Sequence, residues 1–355
     1  MNSNKTPKIL TFLLVMQWAF IQLVAQYPSF IERYYSNGFY IYISRFYRIL
    51  VGWLPFSIGD ILYVIIFFIL LKIVVNLFKY KELKQTFFNL GATISILFFF
   101  FHFNWALNYF RQPVNQTLNI STIDYSNEEL IHFTKKLIKK TNDVHKSLVK
   151  NDSILFENNL SKKEIKANAP LAYDELAKKY NQFSYKNPSI KHSIFSIPLT
   201  YMGFAGYINP LTNEAQVNSL ILKNNYPATV CHEIAHQVGY ASESEANFIG
   251  FLASTHSKDI YFNYSGYLMA LRYCISEVYR KDPNSFEEMK SLMNKGILKD
   301  FKQNQQFWLN YNNWTEKYFK SFYDNFLKAN KQKDGIQGYS KMVVLLINYY
   351  KTESL

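Results

Sequence analysis

Residues 231–247 read Cys231-His232-Glu233-Ile234-Ala235-His236-Gln237-Val238-Gly239-Tyr240-Ala241-Ser242-Glu243-Ser244-Glu245-Ala246-Asn247, and the spacing of polar groups in this stretch decides how the rest of the chain is read. On an α-helix, residues four apart stack one turn above each other, so His232 and His236 offer two imidazole nitrogens to one ion. Glu233, one step round the helix, is placed to take a proton from an attacking water. A hydrolytic zinc ion needs a third protein ligand and an open fourth position. Two carboxylates follow, Glu243 and Glu245, and on a helix they point roughly 200° apart, so only one can face the ion. Helical phase selects Glu243, because Asn247 lies four residues on and can hydrogen-bond a ligating histidine. Choosing Glu245 would turn Phe248 and Ile249 toward the metal. Gly239 is the expected helix C-cap, reversing the chain so that two helices face each other across the ion. Cys231 reads as a small buried packing residue.

The 355 residues allow one or two domains. Thirty-one Phe and 28 Tyr are many, and the apolar residues gather near the N-terminus, which points to membrane before core. The net charge of +13 is spread among Asn, Phe and Tyr with no basic run. That pattern suits an anionic membrane surface and argues against nucleic acid. With Cys231 and Cys274 as its only cysteines, the chain has neither a disulfide framework nor a cysteine zinc cluster.

In chain order, three apolar segments are expected to span a membrane, at about 9–25, 58–78 and 89–109, within a membrane region 1–113. The first is long for a cleaved signal peptide and is read as a retained span. The aromatic stretch 27–57 is expected at the membrane interface. Lysines at the N-terminus and in Lys79-Tyr80-Lys81-Glu82-Leu83-Lys84 place both on the cytoplasmic side, which delivers 114–355 to the outer, periplasmic side. His102 and Asn104 are read as packing groups near Trp105 and Tyr109, residues of the interfacial aromatic belt.

From residue 114 the composition is that of a folded domain. Ser126 with Glu129, and Ser161 with Glu164, open amphipathic helices as capping boxes, and Pro170 is expected to break the second. Ser193–Pro198, Phe204–Ile208 and Glu214–Ile221 read as strands of a small antiparallel sheet, the last either laying its edge along the cleft where an extended peptide would pair or serving only as a structural hairpin packed under the motif helix. Further helices are expected at 265–281, 285–295, 299–330 and 337–350, with Phe301, Phe307, Trp308, Tyr311, Trp314, Tyr318, Phe319 and Phe322 as a core stripe. The expected fold is therefore α+β, mostly α, with transmembrane helices preceding the folded domain.

The motif with its following Glu-x-x-Ala-Asn resembles the gluzincin class of zinc metallopeptidases, including the prenyl-protein type of membrane protease. The whole chain is similar to an uncharacterised bacterial family of multi-span proteins with a zincin-like domain. That likeness rests on Trp105 to Pro113, Gly206-Tyr207-Ile208-Asn209-Pro210 with Thr212, Glu214, Ala215 and Asn218, the metal stretch, and Leu327 to Asn330 with Tyr339. It implies a zincin-like metallopeptidase domain with Zn2+ held by His232, His236 and Glu243, Glu233 as general base, and a peptide or protein substrate. The six residues between His236 and Glu243 are fewer than gluzincins usually have, and Asn247 stands where they carry aspartate. Peptide hydrolysis also needs an oxyanion donor, for which Tyr339, Tyr207 and Arg111 are candidates. A non-catalytic zinc-binding membrane protein and a zinc hydrolase of non-peptide amides are the alternatives. The sequence leaves the substrate and the oligomeric state open.

Overall fold

The structure is a computed structural model describing residues 5–330 and 339–355. Three of its helices are long and apolar enough to cross a membrane, α1 (Lys5–Val24), α3 (Ile58–Tyr80) and α4 (Leu83–Asn104). The third begins and ends earlier than the expected 89–109. Nothing in 83–88 breaks a helix, and the lysine loop contracts to a turn at Lys81, whose φ of 55° reverses the chain. At the other end Trp105 leaves helical geometry, and residues Ala106–Phe110 form a 3-10 turn. α1 and α4 pack in parallel, with Thr11 bonding Phe88 O (3.1 Å) and Gln17 bonding Ser95 (3.2 Å). Lys5, Lys8 and the turn at 79–82 therefore share one end of the bundle.

The stretch expected at the interface is helical. Ile31–Phe39 is π-helical and runs into α2 (Tyr40–Val51), which buries Tyr40, Ser44, Arg48 and Val51 at spacings of four, four and three. This one-sided stripe packs onto the folded domain while Ile41, Tyr42, Phe46 and Ile49 stay exposed. A core formed by Ile21, Ile31, Tyr35, Tyr40, Trp105, Tyr109 and Phe110 with Ile208, Ala241 and Leu327 joins the N-terminal region to the rest.

The larger core is helical. α5 (Asn127–Leu148) and α6 (Lys162–Lys179) both start at complete capping boxes, from Ser126/Glu129 and Ser161/Glu164, each contributing on the order of 1 kcal/mol. Pro170 does not break α6, because Ile165, Ala169, Ala172, Tyr173 and Leu176 form one buried face that runs past it. The sheet is mixed, not antiparallel. β1 (Ile190–His192) runs parallel to β3 (Glu214–Val217), and β2 (Gly206–Asn209) pairs antiparallel on its other side. β3 is thus the fully paired central strand and has no edge to offer, and β2 is the edge nearest the motif. The expected strand at 193–198 is replaced by helix α7 (Ser196–Met202), ended by Gly203 at φ +80°.

α8 (Tyr226–Gln237) carries the motif and α9 (Glu243–His256) follows after the turn at Gly239, whose φ is +95°. α10 (Ile260–Lys281) and α11 (Pro283–Ser291) pack behind them. The long helix expected over 299–330 is two, α12 (Lys295–Asn310) and α13 (Glu316–Ala329), because Asn313 Oδ1 accepts the Thr315 N–H and starts a new turn. α14 (Tyr339–Tyr349) closes the core.

Candidate metal centre

α8 and α9 lie face to face, with Gly250 giving the close approach: a Cβ there would sit 2.8 Å from the His232 backbone nitrogen. On α8, His232 Nε2 and His236 Nε2 are 3.1 Å apart. Glu243 Oε2 lies 3.3 Å from His232 Nε2, and Oε1 lies 3.7 Å from His236 Nε2. Ligands about 2.0–2.1 Å from a tetrahedral zinc are separated from one another by roughly 3.3 Å. The three observed separations bracket that value, so these side chains fit one ion.

The tautomers agree with that reading. His236 Nδ1 is 2.7 Å from Tyr240 O, and since a carbonyl only accepts, Nδ1 carries the proton and Nε2 presents its lone pair. His232 Nδ1 has no hydrogen-bond partner among the described residues; burial opposes the charged form of this imidazole, but the Glu243 and Glu233 carboxylates outweigh it and raise the group above its ordinary value. Burial lowers His236 to about 4, which keeps that imidazole neutral and ready to ligate. The Glu243 side chain is 32% exposed, so the site is open on its side.

Glu233 points from α8 toward β2. A Cβ at Gly206 would lie 2.5 Å from Glu233 Oε1, so only glycine leaves room for this carboxylate beneath the edge strand. Glu233, His232 and His236 each place a ligand atom within 4.8 Å of the others. Glu233 Oε2 has no hydrogen-bond partner among the described residues. Burial pushes its carboxyl up to about 8, against the lowering effect of His232.

Glu245 is turned away from the histidines and accepts the Val114 N–H at 2.7 Å. Of the two carboxylates, Glu243 is the one placed beside the histidines. The oxyanion candidates fare differently. Arg111 is engaged behind the site, bonding Glu32 Oε1 at 2.7 Å and Gly239 O at 2.8 Å and lying over the Tyr240 ring. Tyr207 alternates to the face of β2 opposite Gly206 and bonds Asp60 of α3. The Tyr339 side chain lies outside the described residues.

Sequence reasoning missed the tyrosine that does meet the centre. Tyr323 on α13 donates to Glu243 Oε1 at 2.5 Å. Burial, with the Glu243 charge beside it, raises both this phenol and that of Tyr109. The aromatic stripe of 301–322 stops one residue short of it, and spacing within that stripe carries no sign of which ring turns to the metal helix. Trp105 was also missed: its Nε1 donates to His236 O at 3.0 Å.

Residues 35–347 match the family described as "Protein of unknown function (DUF3810)", and the chain belongs to that family. No curated protein and no solved structure matches it.

Proposed function

We propose that this protein is a membrane-anchored zinc metallopeptidase whose site faces the periplasmic side of a bacterial inner membrane. The observation that carries the reading is the convergence of His232 Nε2, His236 Nε2 and the Glu243 carboxylate at 3.1–3.7 Å, with the Glu233 carboxylate beside them. Zinc, when bound, supplies Lewis acidity toward a peptide carbonyl and acidifies water. His232, His236 and Glu243 hold the ion, and Tyr323 fixes the Glu243 carboxylate through its hydrogen bond. Glu233 accepts the proton of the attacking water and delivers it to the leaving amine. The exposed side at Glu243 admits the substrate, and the edge strand β2 lies where an extended peptide can run past Glu233. The orientation follows from lysines: the end of the bundle holding Lys5, Lys8, Lys79 and Lys81 is assigned to the cytoplasm.

The test uses the full chain in lipid nanodiscs. Metal analysis should give about one zinc per chain and His232→Ala should give none. Glu233→Gln should keep the metal and lose cleavage of an unfolded protein. A wild-type chain without zinc, or equal cleavage by Glu233→Gln, sinks the reading. For orientation, a reporter active only in the periplasm should work when fused after residue 355 and fail at 82; the opposite pattern reverses the assignment.

A further inference from the structure

Helix α13 carries two aromatic rows with different surroundings. Tyr323 and Phe326 turn inward: Tyr323 meets Phe204 (ring centroids 5.1 Å apart) and bonds Glu243, while Phe326 meets Phe101 of α4 at 6.0 Å. Trp314, just before the helix, with Tyr318 and Phe322 forms a second row at spacings of four, and these are 77%, 59% and 72% exposed. Beside it, α7 leaves Ile197 and Tyr201 exposed at 62% and 47%, with Ile194 exposed just before. A contiguous row of large apolar side chains of this kind marks an interaction surface.

Its position says what covers it. The C-terminal part of α13 rests on Phe101, one turn from the end of span α4. Its N-terminal end meets α7, where Asn313 donates to Tyr201 O at 2.8 Å and the Glu316 side chain lies beside Gly203. α7 in turn starts at the beginning of span α3: Asp60 accepts from Ser193 Oγ at 3.0 Å and from the Ile194 N–H at 2.8 Å, and Tyr63 stacks on Tyr207. α3 and α4 are consecutive spans joined by a tight turn, so the start of one and the end of the other emerge on the same side. A pair of helices fastened to both emergence points runs along the plane where the spans leave the bilayer. Lys317, stacked on Tyr318 at 5.0 Å, supplies a cation on the same helix, as interfacial helices do, while Lys320 is paired with Glu316.

We infer that α7 and α13 lie in the interface of the outer leaflet, with Ile194, Ile197, Tyr201, Trp314, Tyr318 and Phe322 set in the headgroup and upper acyl region. Because Tyr323 of the same helix bonds Glu243, the open side of the metal centre then lies at the bilayer surface. Where the proposed peptidase holds, on which this consequence rests, it cleaves chain segments held at that surface, by a span or by a lipid, faster than freely diffusing proteins.

The surface can be tested without activity. Cys231 and Cys274 are buried, so a fluorophore sensitive to polarity can be placed on single cysteines introduced at Ile197, Tyr318 and Phe322, and at Lys146 and Lys258 as exposed controls. The full chain is put in nanodiscs of phosphatidylcholine and phosphatidylglycerol. Labels at 197, 318 and 322 should be quenched severalfold less by iodide than the controls, and strongly by lipids spin-labelled near the headgroup. Iodide quenching equal to the controls overturns the inference. Protection from iodide without quenching by the labelled lipid also overturns it, because a second copy or another protein then covers the row. The same readings in His232→Ala separate this outcome from failure of the metal reading.

Discussion

Gly206→Ala presses on Glu233 while leaving His232, His236 and Glu243 uncontacted. The added Cβ would stand 2.5 Å from Glu233 Oε1, 2.8 Å from its Cδ and 2.7 Å from the Gln216 carbonyl oxygen. Ordinary van der Waals contact starts at 3.4 Å, so the shortfall at Oε1 is 3.4 − 2.5, about 0.9 Å. Gln216 O belongs to the central strand, whereas Glu233 is the free end of a side chain, so the carboxylate moves most. A displacement near 1 Å of a reacting group costs about 100-fold in rate, equivalent to about 2.7 kcal/mol of barrier. His232, His236 and Glu243 are untouched, so zinc content should equal that of the wild type. The assay is cleavage of a labelled unfolded protein by the full chain in nanodiscs, with zinc and thermal unfolding measured on the same samples. Any part of the effect that comes through the Gln216 carbonyl should appear as a lower unfolding temperature in the same samples. A Gly206→Ala protein that holds zinc and cleaves at the wild-type rate would refute both the steric reasoning and the role given to Glu233.

Three further outcomes follow from other parts of the molecule. Tyr323→Phe removes the hydrogen bond on Glu243 and should weaken zinc binding by about 10–100-fold in chelator competition; unchanged affinity would mean that the phenol does not orient the carboxylate. Arg111→Met leaves Glu32 charged and buried, at a cost of about 3–5 kcal/mol in unfolding measurements, and Glu32→Gln added to it should restore part of that loss. His192 is lowered from 6.5 to about 4 by burial and by Lys166 and Lys162. The folded state holds it neutral while the unfolded chain takes up a proton near pH 6.5, so its contribution is intact above pH 6.5 and is lost as the pH falls toward 4. Thermal unfolding of His192→Gln should therefore be less acid-sensitive than the wild type over that window, and parallel profiles would contradict the assignment.

The parts of the fold legible in the sequence are those where one local rule acts alone. Both capping boxes and the two histidines lie at fixed offsets on single helices, and Glu243 was separated from Glu245 by phase because α9 is regular from its first residue. What was not legible depends on groups distant in sequence. The apolar tract at 196–202 satisfies helix and strand patterns equally, and the Asp60 carboxylate on Ser193 Oγ and the Ile194 N–H, not propensity, ends the strand before it. Tyr207 and Arg111 had the right chemistry for an oxyanion donor, but strand alternation sends the first to Asp60 and a buried carboxylate claims the second. Tyr323 reaches the site only because Asn313 splits the long helix and re-aims α13.

The relation between the N-terminal region and the site goes beyond anchoring. The C-terminal end of α8 and the turn after it present carbonyls that the helix itself does not pair; His236 O takes the Gly239 N–H at 3.0 Å, and a carbonyl left buried and unsatisfied costs about 1–3 kcal/mol. Side chains from the first 113 residues cover them. Trp105 bonds His236 O at 3.0 Å, Tyr40 bonds Gln237 O at 3.0 Å with Arg48 at 3.2 Å, and Arg111 bonds Gly239 O at 2.8 Å. Gly239 itself is pressed by Tyr40 and Asn108, where a Cβ would come within 3.0 and 3.2 Å. His236 is therefore held through its own carbonyl by Trp105 and through Nδ1 by Tyr240, whose ring is backed by Arg111. A chain cut at 114 would keep all three proposed ligands in its sequence and lose the groups that fix the turn between His236 and Glu243. The aromatic and arginine residues of the first 113 positions are thus part of the construction of the candidate centre.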